Sequence, residues 1–269
     1  METPSCDVVI LSDLHLGSET SRAREALMLL RSLSFHKLIL LGDIFCDLNF
    51  RRLTKEHWQF LSYIRKLSNP KRGIEVVWVE GNHDYGLTDV MSHLVGVPVH
   101  QEYQWDLEGE RHLAIHGHQF DKLARNPLLL GEVATHLYLA FQKLDRGHRH
   151  FSRMIDKLNT RWQRLTAKVA RGALEYAQAR GVTRIYCGHT HEPITIAQDG
   201  IHYYNTGAWT NGRPTYVSIS GREVAIHEYV EGTYDYYPGE ERGEIVAEAA
   251  ELSGTPGLLA DAEYESVPG

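Results

Sequence analysis

At 269 residues and 42% hydrophobic content the chain can hold one large α/β domain, or a domain with an insertion, around a real core. Three widely separated cysteines, Cys6, Cys46 and Cys187, argue against a disulfide framework, and no run reaches the roughly 18 apolar residues of a membrane helix. The net charge of −7 belongs to residues 239–269, where eight acids face Arg242 alone, so it excludes nothing about the part before it.

The opening METPSCDVVI lacks the basic and apolar regions of a signal peptide, and a cytoplasmic location is expected. Four apolar runs then end in polar clusters: VVILSDLHL from Val8, KLILLGDIF from Lys37, IEVVWVEGNHD from Ile74 and HLAIHGHQFD from His112. A fifth, TRIYCGHTH, starts at Thr183. Such Val- and Ile-rich runs bounded by Gly, Asp or Asn read as buried strands. Helical periodicity over Arg22–Leu33 and Glu56–Leu67 makes the first part β-α-β-α-β. Hairpins are expected around Glu108-Gly109, Asp199-Gly200 and Ser220-Gly221. This combination predicts an α/β fold of two packed sheets with helices outside. From Phe120 to Arg180 the pattern is nearly continuous helix, read as an insertion at about 121–180. The domain is expected to span 1–238 and the acidic tail 239–269 to be disordered, apart from a short helical pattern at Glu244–Leu252.

Taken singly, each polar cluster has an ordinary explanation. Asp13-Leu-His15 suits a cap, Gly42-Asp43 a turn, and Gly81-Asn82-His83-Asp84 a loop with a left-handed residue. Taken together, five strand ends deliver carboxylate, amide and imidazole groups, and in α/β sheets such ends converge on one crevice. Burying them all is costly unless something satisfies them. A pair of divalent cations does so, and clamps an in-line displacement at phosphorus.

The ordered set DLH (13–15), GD (42–43), GNHD (81–84), HGH (116–118) and GHTH (188–191) resembles the calcineurin-like metallophosphoesterases. The resemblance implies a four-layer sandwich of two mixed sheets flanked by helices. It implies one metal held by Asp13, His15 and His191, a second held by Asn82, His116 and His189, and Asp43 between them. Manganese is the first expectation, with iron, zinc or magnesium as alternatives. His83 is implied as an uncoordinated group facing the leaving group, a general acid or a charge stabiliser, with Asp84 holding its ring or serving the turn, and His118 as a ligand or a supporting group.

Tyr203–Trp209 and the helical insertion are similar to the UDP-2,3-diacylglucosamine pyrophosphatase group, where the insertion is a lid over acyl chains. His83 stands where that group usually has Arg, His118 where it has Asp, and Ala208 replaces a common Asp. The GNHD form is closer to broad-specificity members. Basic residues recur every three or four positions from Arg146 to Arg171, among them Arg161, Arg164 and Lys168. A solvated basic face is the plain reading. The alternative is a lid that binds a phosphorylated small-molecule or lipid-like substrate, with Asn82, Arg161, Arg164 and Lys168 in contact, or touches an anionic inner-membrane face. The bases gather on one insertion and form no broad groove, so nucleic acid is not an expected partner. A non-catalytic scaffold would usually have lost ligands, and none is missing here.

Overall fold

The computed structural model describes residues 5–86, 92–93, 96–121, 148–210 and 212–230, without the side chains of 148–161. Strands β1 (Ser5–Leu11), β2 (Ser34–Leu41), β3 (Glu75–Val79) and β4 (Val99–His100) run parallel, joined by α1 (Ala23–Ser32) and α2 (Lys55–Leu67). The second sheet is built from β5 (Glu102–Leu107), β6 (Glu110–Ile115), β7 (Arg184–Cys187), β8 (Ile194–Gln198) and β9 (Ile201–Asn205). Strands β10 (Thr215–Ser220) and β11 (Glu223–Glu228) return to the first sheet, whose order is β11-β10-β1-β2-β3-β4. The second sheet has the order β5-β6-β7-β9-β8, parallel at β6–β7 and β7–β9 and antiparallel at its edges.

The nearly unbroken apolar runs have a simple cause: both faces of these strands are covered. In β1, Val9 and Leu11 face α1 and α2 together with Leu38, Leu40 and Trp78. Val8 and Ile10 face the other way, with Ile39, Leu41, Val77 and Val79, and meet Trp105, Ala114, Tyr186 and Tyr204 of the second sheet. The far side of that sheet, through Leu113, Ile115, Ile185 and Cys187, packs on a long helix, α3 (His148–Arg180). Two mixed sheets with flanking helices therefore stack as four layers. Glu108-Gly109 and Asp199-Gly200 both have two positive-φ residues in succession, the geometry that lets a two-residue turn follow the strand twist.

The last turns of the expected insertion also serve the core: Ala167, Ala170, Ala173, Leu174 and Ala177 are buried against the second sheet as its flanking layer. Small side chains let the helix lie close, and Phe120 fills the space above Gly172, where a Cβ would come within 2.8 Å of its ring. Residues 122–147 and the tail 239–269, including the Glu244–Leu252 pattern, lie outside the described residues.

Ala173→Leu is expected to lower stability by about 1–3 kcal/mol through overpacking, read as a shift of the urea midpoint. An unchanged midpoint would mean that this part of α3 is detachable.

Candidate metal centre

The predicted site residues lie just beyond the C-terminal ends of β1, β2, β3, β6 and β7. Among the described residues seven non-glycines have positive φ, and five are Asp13, His15, Asp43, His189 and His191, at 47° to 68°. The other two, Glu108 and Asp199, occupy the hairpin turns. An L-residue in this region costs roughly 1–2 kcal/mol, so backbone strain is concentrated at the site. A ladder continuing past the strands holds it: Asp13 N donates to Gly42 O at 3.0 Å, His15 N to Asp43 O at 3.0 Å and Leu16 N to Ile44 O at 2.7 Å. Close approach explains two glycines. A Cβ on Gly81 would meet Asp43 Oδ1 at 2.2 Å, and one on Gly188 would meet Asp13 Oδ2 at 2.4 Å.

Each buried carboxylate is held by one oxygen and presents the other. Asp13 Oδ2 accepts from His189 N at 3.1 Å, and Asp43 Oδ1 accepts from His83 N at 2.9 Å. Asp13 Oδ1 then lies 3.1 Å from His191 Nε2 and 3.9 Å from His15 Nε2, while those two nitrogens are 3.3 Å apart. Asp43 Oδ2 lies 3.3 Å from His116 Nε2 and 3.9 Å from His83 Nε2. The rings of His116 and His83 are aimed from behind, since Nδ1 contacts Leu41 O at 3.0 Å and Cys46 O at 2.8 Å. A carbonyl only accepts, so Nδ1 carries the proton and Nε2 is left for the site.

Three donor groups follow: Asp13 with His15 and His191, His15 with Asp43 and His83, and Asp43 with His116 and His189. Asp13 Oδ1, Asn82 Oδ1, His116 Nε2 and His189 Nε2 are buried with no hydrogen-bond partner among the described residues. Separations of 3.1–3.3 Å between these facing atoms are those of donors sharing a small cation at about 2.0–2.2 Å. Oxygen and imidazole donors without thiolate suit manganese, iron or zinc. The residues present fit divalent metal.

Electrostatics agree. Burial opposes charge on Asp13 and Asp43, yet the facing imidazoles, His191 for Asp13 and His116 for Asp43, hold both carboxyls below the usual range. Burial likewise opposes charge on His116, but Asp43 and Asp13 lift it to about 10. His15 and His189 are pushed down to about 4, chiefly by burial. A cation entering here displaces ring protons that otherwise balance the carboxylates.

Several assignments change. Asp84 does not hold the His83 ring: it is buried, and its oxygens accept from Ile44 N at 2.9 Å and Phe45 N at 2.8 Å. Its role is to fix the loop after Asp43, and burial beside Asp43 raises its carboxyl to about 7. His83, with its side chain 39% exposed, is near enough to His15 and Asp43 to be a ligand as well as an acid. His118 begins a short turn, its ring 5.5 Å from that of His116. Arg164 is exposed; Lys168 Nζ is 3.7 Å from Asp121, and the Arg161 side chain lies outside the described residues. Trp162, 45% exposed, stands with its ring 6.4 Å from that of His191.

Two residues escaped the sequence reading. Asn205, fully buried at the end of β9, donates to Gly188 O at 2.8 Å and Thr190 Oγ1 at 3.0 Å, and accepts from Gly207 N at 3.1 Å. It thereby clamps the turn bearing His189 and His191. Asp121 closes the HLAIHGHQFD run beside His189. In both cases the available signal was a polar residue ending an apolar strand cluster. Asn205→Ala is expected to weaken cation binding at least about tenfold and to destabilise the fold by about 1–3 kcal/mol. Calorimetric metal titration and thermal melting check this; wild-type affinity would refute the clamp.

A model of the calcineurin-like phosphoesterase superfamily domain matches residues 7–229. No curated protein sequence matches the chain. Among solved structures, Vps29 from Entamoeba histolytica is 17% identical, with a TM-score of 0.46 over 86% of this chain and 96% of that one. Yfce, a phosphoesterase from E. coli, is 17% identical, with a TM-score of 0.46 over 84% of this chain and 95% of that one. A conserved predicted phosphoesterase from Streptococcus pneumoniae TIGR4 is 18% identical, with a TM-score of 0.41 over 87% and 94%. Since the matched segment runs from within β1 past the end of β11 and takes in every cluster described above, the chain belongs to the calcineurin-like phosphoesterase superfamily.

Proposed function

We propose that this protein hydrolyses a phosphoester or pyrophosphate bond with the help of two divalent cations. The observation that carries the reading is the place of Asp43, whose group with His116 and His189 adjoins a second group containing His15, itself shared with Asp13 and His191. One carboxylate thus stands between two donor sets. When bound, the cations supply Lewis-acid stabilisation of a phosphoryl oxygen and a water nucleophile available near neutral pH. Asp13, His15 and His191 hold one; Asn82, His116 and His189 hold the other. His83, whose Nδ1–H is held by the Cys46 carbonyl and whose Nε2 is open to the site, donates from its doubly protonated form, giving the Nε2 proton to the leaving oxygen and keeping the Nδ1 proton.

The substrate reading is a phosphorylated lipid-like molecule such as UDP-2,3-diacylglucosamine, giving UMP and a lipid monophosphate, in the cytoplasm at an anionic membrane face. Its support is the exposed Trp162 beside His191, on a helix that also presents Arg164. A broad-specificity phosphodiesterase or phosphatase, or a nuclease, of the same fold is the second reading, favoured by His83 within GNHD. Product analysis of metal-loaded protein given UDP-diacylglucosamine beside simple nucleotide esters separates them. Turnover of the lipid alone supports the first reading, and turnover of the esters alone the second. Joint replacement of Arg161 and Arg164 by Ala should then impair the lipid substrate far more than a small ester.

Asp43→Ala is expected to abolish turnover and lower metal content together. His83→Ala should lose on the order of 10²-fold or more in turnover while both cations stay bound, as elemental analysis would show. Loss of one equivalent in His83→Ala would make this residue a ligand.

A further inference from the structure

Asp121 is buried at the end of the short turn His118–Phe120, between the site and α3. Its Oδ2 lies 3.6 Å from His189 Nε2, and its Oδ1 lies 3.7 Å from Lys168 Nζ. The neighbourhood is closely packed on both sides. Gly117 abuts Val169, where a Cβ would come within 3.2 Å, and Phe120 lies against Gly172 and, edge-on, the ring of Tyr176. A buried carboxylate is therefore fixed between an imidazole of the candidate site and a cation on the flanking helix.

We infer that Asp121 is a positioning residue: it faces His189 Nε2 at 3.6 Å, an atom that makes no hydrogen bond among the described residues, and takes the proton on that nitrogen when the other ring nitrogen holds the cation beside Asp43. Lys168 balances the carboxylate and ties α3 to the same point. A carboxylate behind a ligating imidazole fixes its tautomer and strengthens it as a donor. His83 and His116 rest on backbone carbonyls through Nδ1, whereas His189 is approached at the opposite ring position, and by a carboxylate. The inference rests on the two-cation reading of the site.

The test is cation binding by the full chain. Cobalt titrations followed by visible absorption and by calorimetry would be run on the wild type, Asp121→Asn, Asp121→Glu and Lys168→Met. Wild-type protein should bind two equivalents; failure to do so overturns the two-cation reading itself, whatever the variants do. With two bound, Asp121→Asn should weaken one equivalent by about 10–100-fold and alter its cobalt spectrum, leaving the other equivalent and the metal-free melting temperature nearly unchanged. Asp121→Glu should recover part of the loss, and Lys168→Met, which keeps the carboxylate, should retain both equivalents. Two equivalents of wild-type affinity and spectrum in Asp121→Asn would overturn the inference. So would equal weakening of both equivalents in Asp121→Asn and Lys168→Met, which would mark the pair as general packing.

Discussion

Two carboxylates, Asp13 and Asp43, are buried within one cluster of imidazoles, and nearly every unusual feature of the structure follows from keeping them there. Charge in such a setting is tolerated only when paired and hydrogen-bonded. The chain meets the demand by giving one oxygen of each carboxylate to a backbone N–H from another cluster, His189 for Asp13 and His83 for Asp43. The remaining oxygens face ring nitrogens. Attraction and desolvation are thus settled in pairs of segments distant in sequence, so the site is a product of the whole fold.

The backbone carries the cost of that arrangement. Five left-handed residues gather where the strands end, and the ladder between the first two site loops, with Asn205 beneath the third, over-determines them. Cross-sheet support is direct: the His116 ring, borne on the second sheet, bonds to the Leu41 carbonyl of the first. The two sheets therefore cannot slide without disturbing the donor set, and the stacked aromatic layer of Trp105, Tyr186 and Tyr204 between them adds to the same restraint.

Much of this was legible in the sequence. Strands buried on both faces write themselves as apolar runs, and Asp-Gly between such runs writes a hairpin, so β1, β2, β3, β6 and β7 were readable, as was the turn at Asp199-Gly200. The convergence of Asp13, Asp43, His116, His189 and His191 followed from the rule for parallel strand ends. What could not be read was side-chain direction. Asp84 sits next to His83 in the chain but turns inward to backbone amides, since a carboxylate after a tight turn finds the nearest unpaired N–H groups. Helical periodicity over α3 was plain, but its alanines did not say whether they met a sheet or a ligand. Lys168 lay in a basic stripe, and only the fold brought Asp121 to it.

The place of β1 in its sheet bears on how the protein is made. Residues Val8 to Ile10 pair with β2 on one side and with Val217 to Ile219 on the other. A nascent chain emerging from the ribosome therefore exposes one edge of its first strand until residues past 219 have left the tunnel. Unpaired strand edges invite association with other chains. The clamp residue Asn205 and the β10–β11 hairpin are the last described elements to be delivered, so the candidate metal centre closes only when little of the described fold remains to be synthesised.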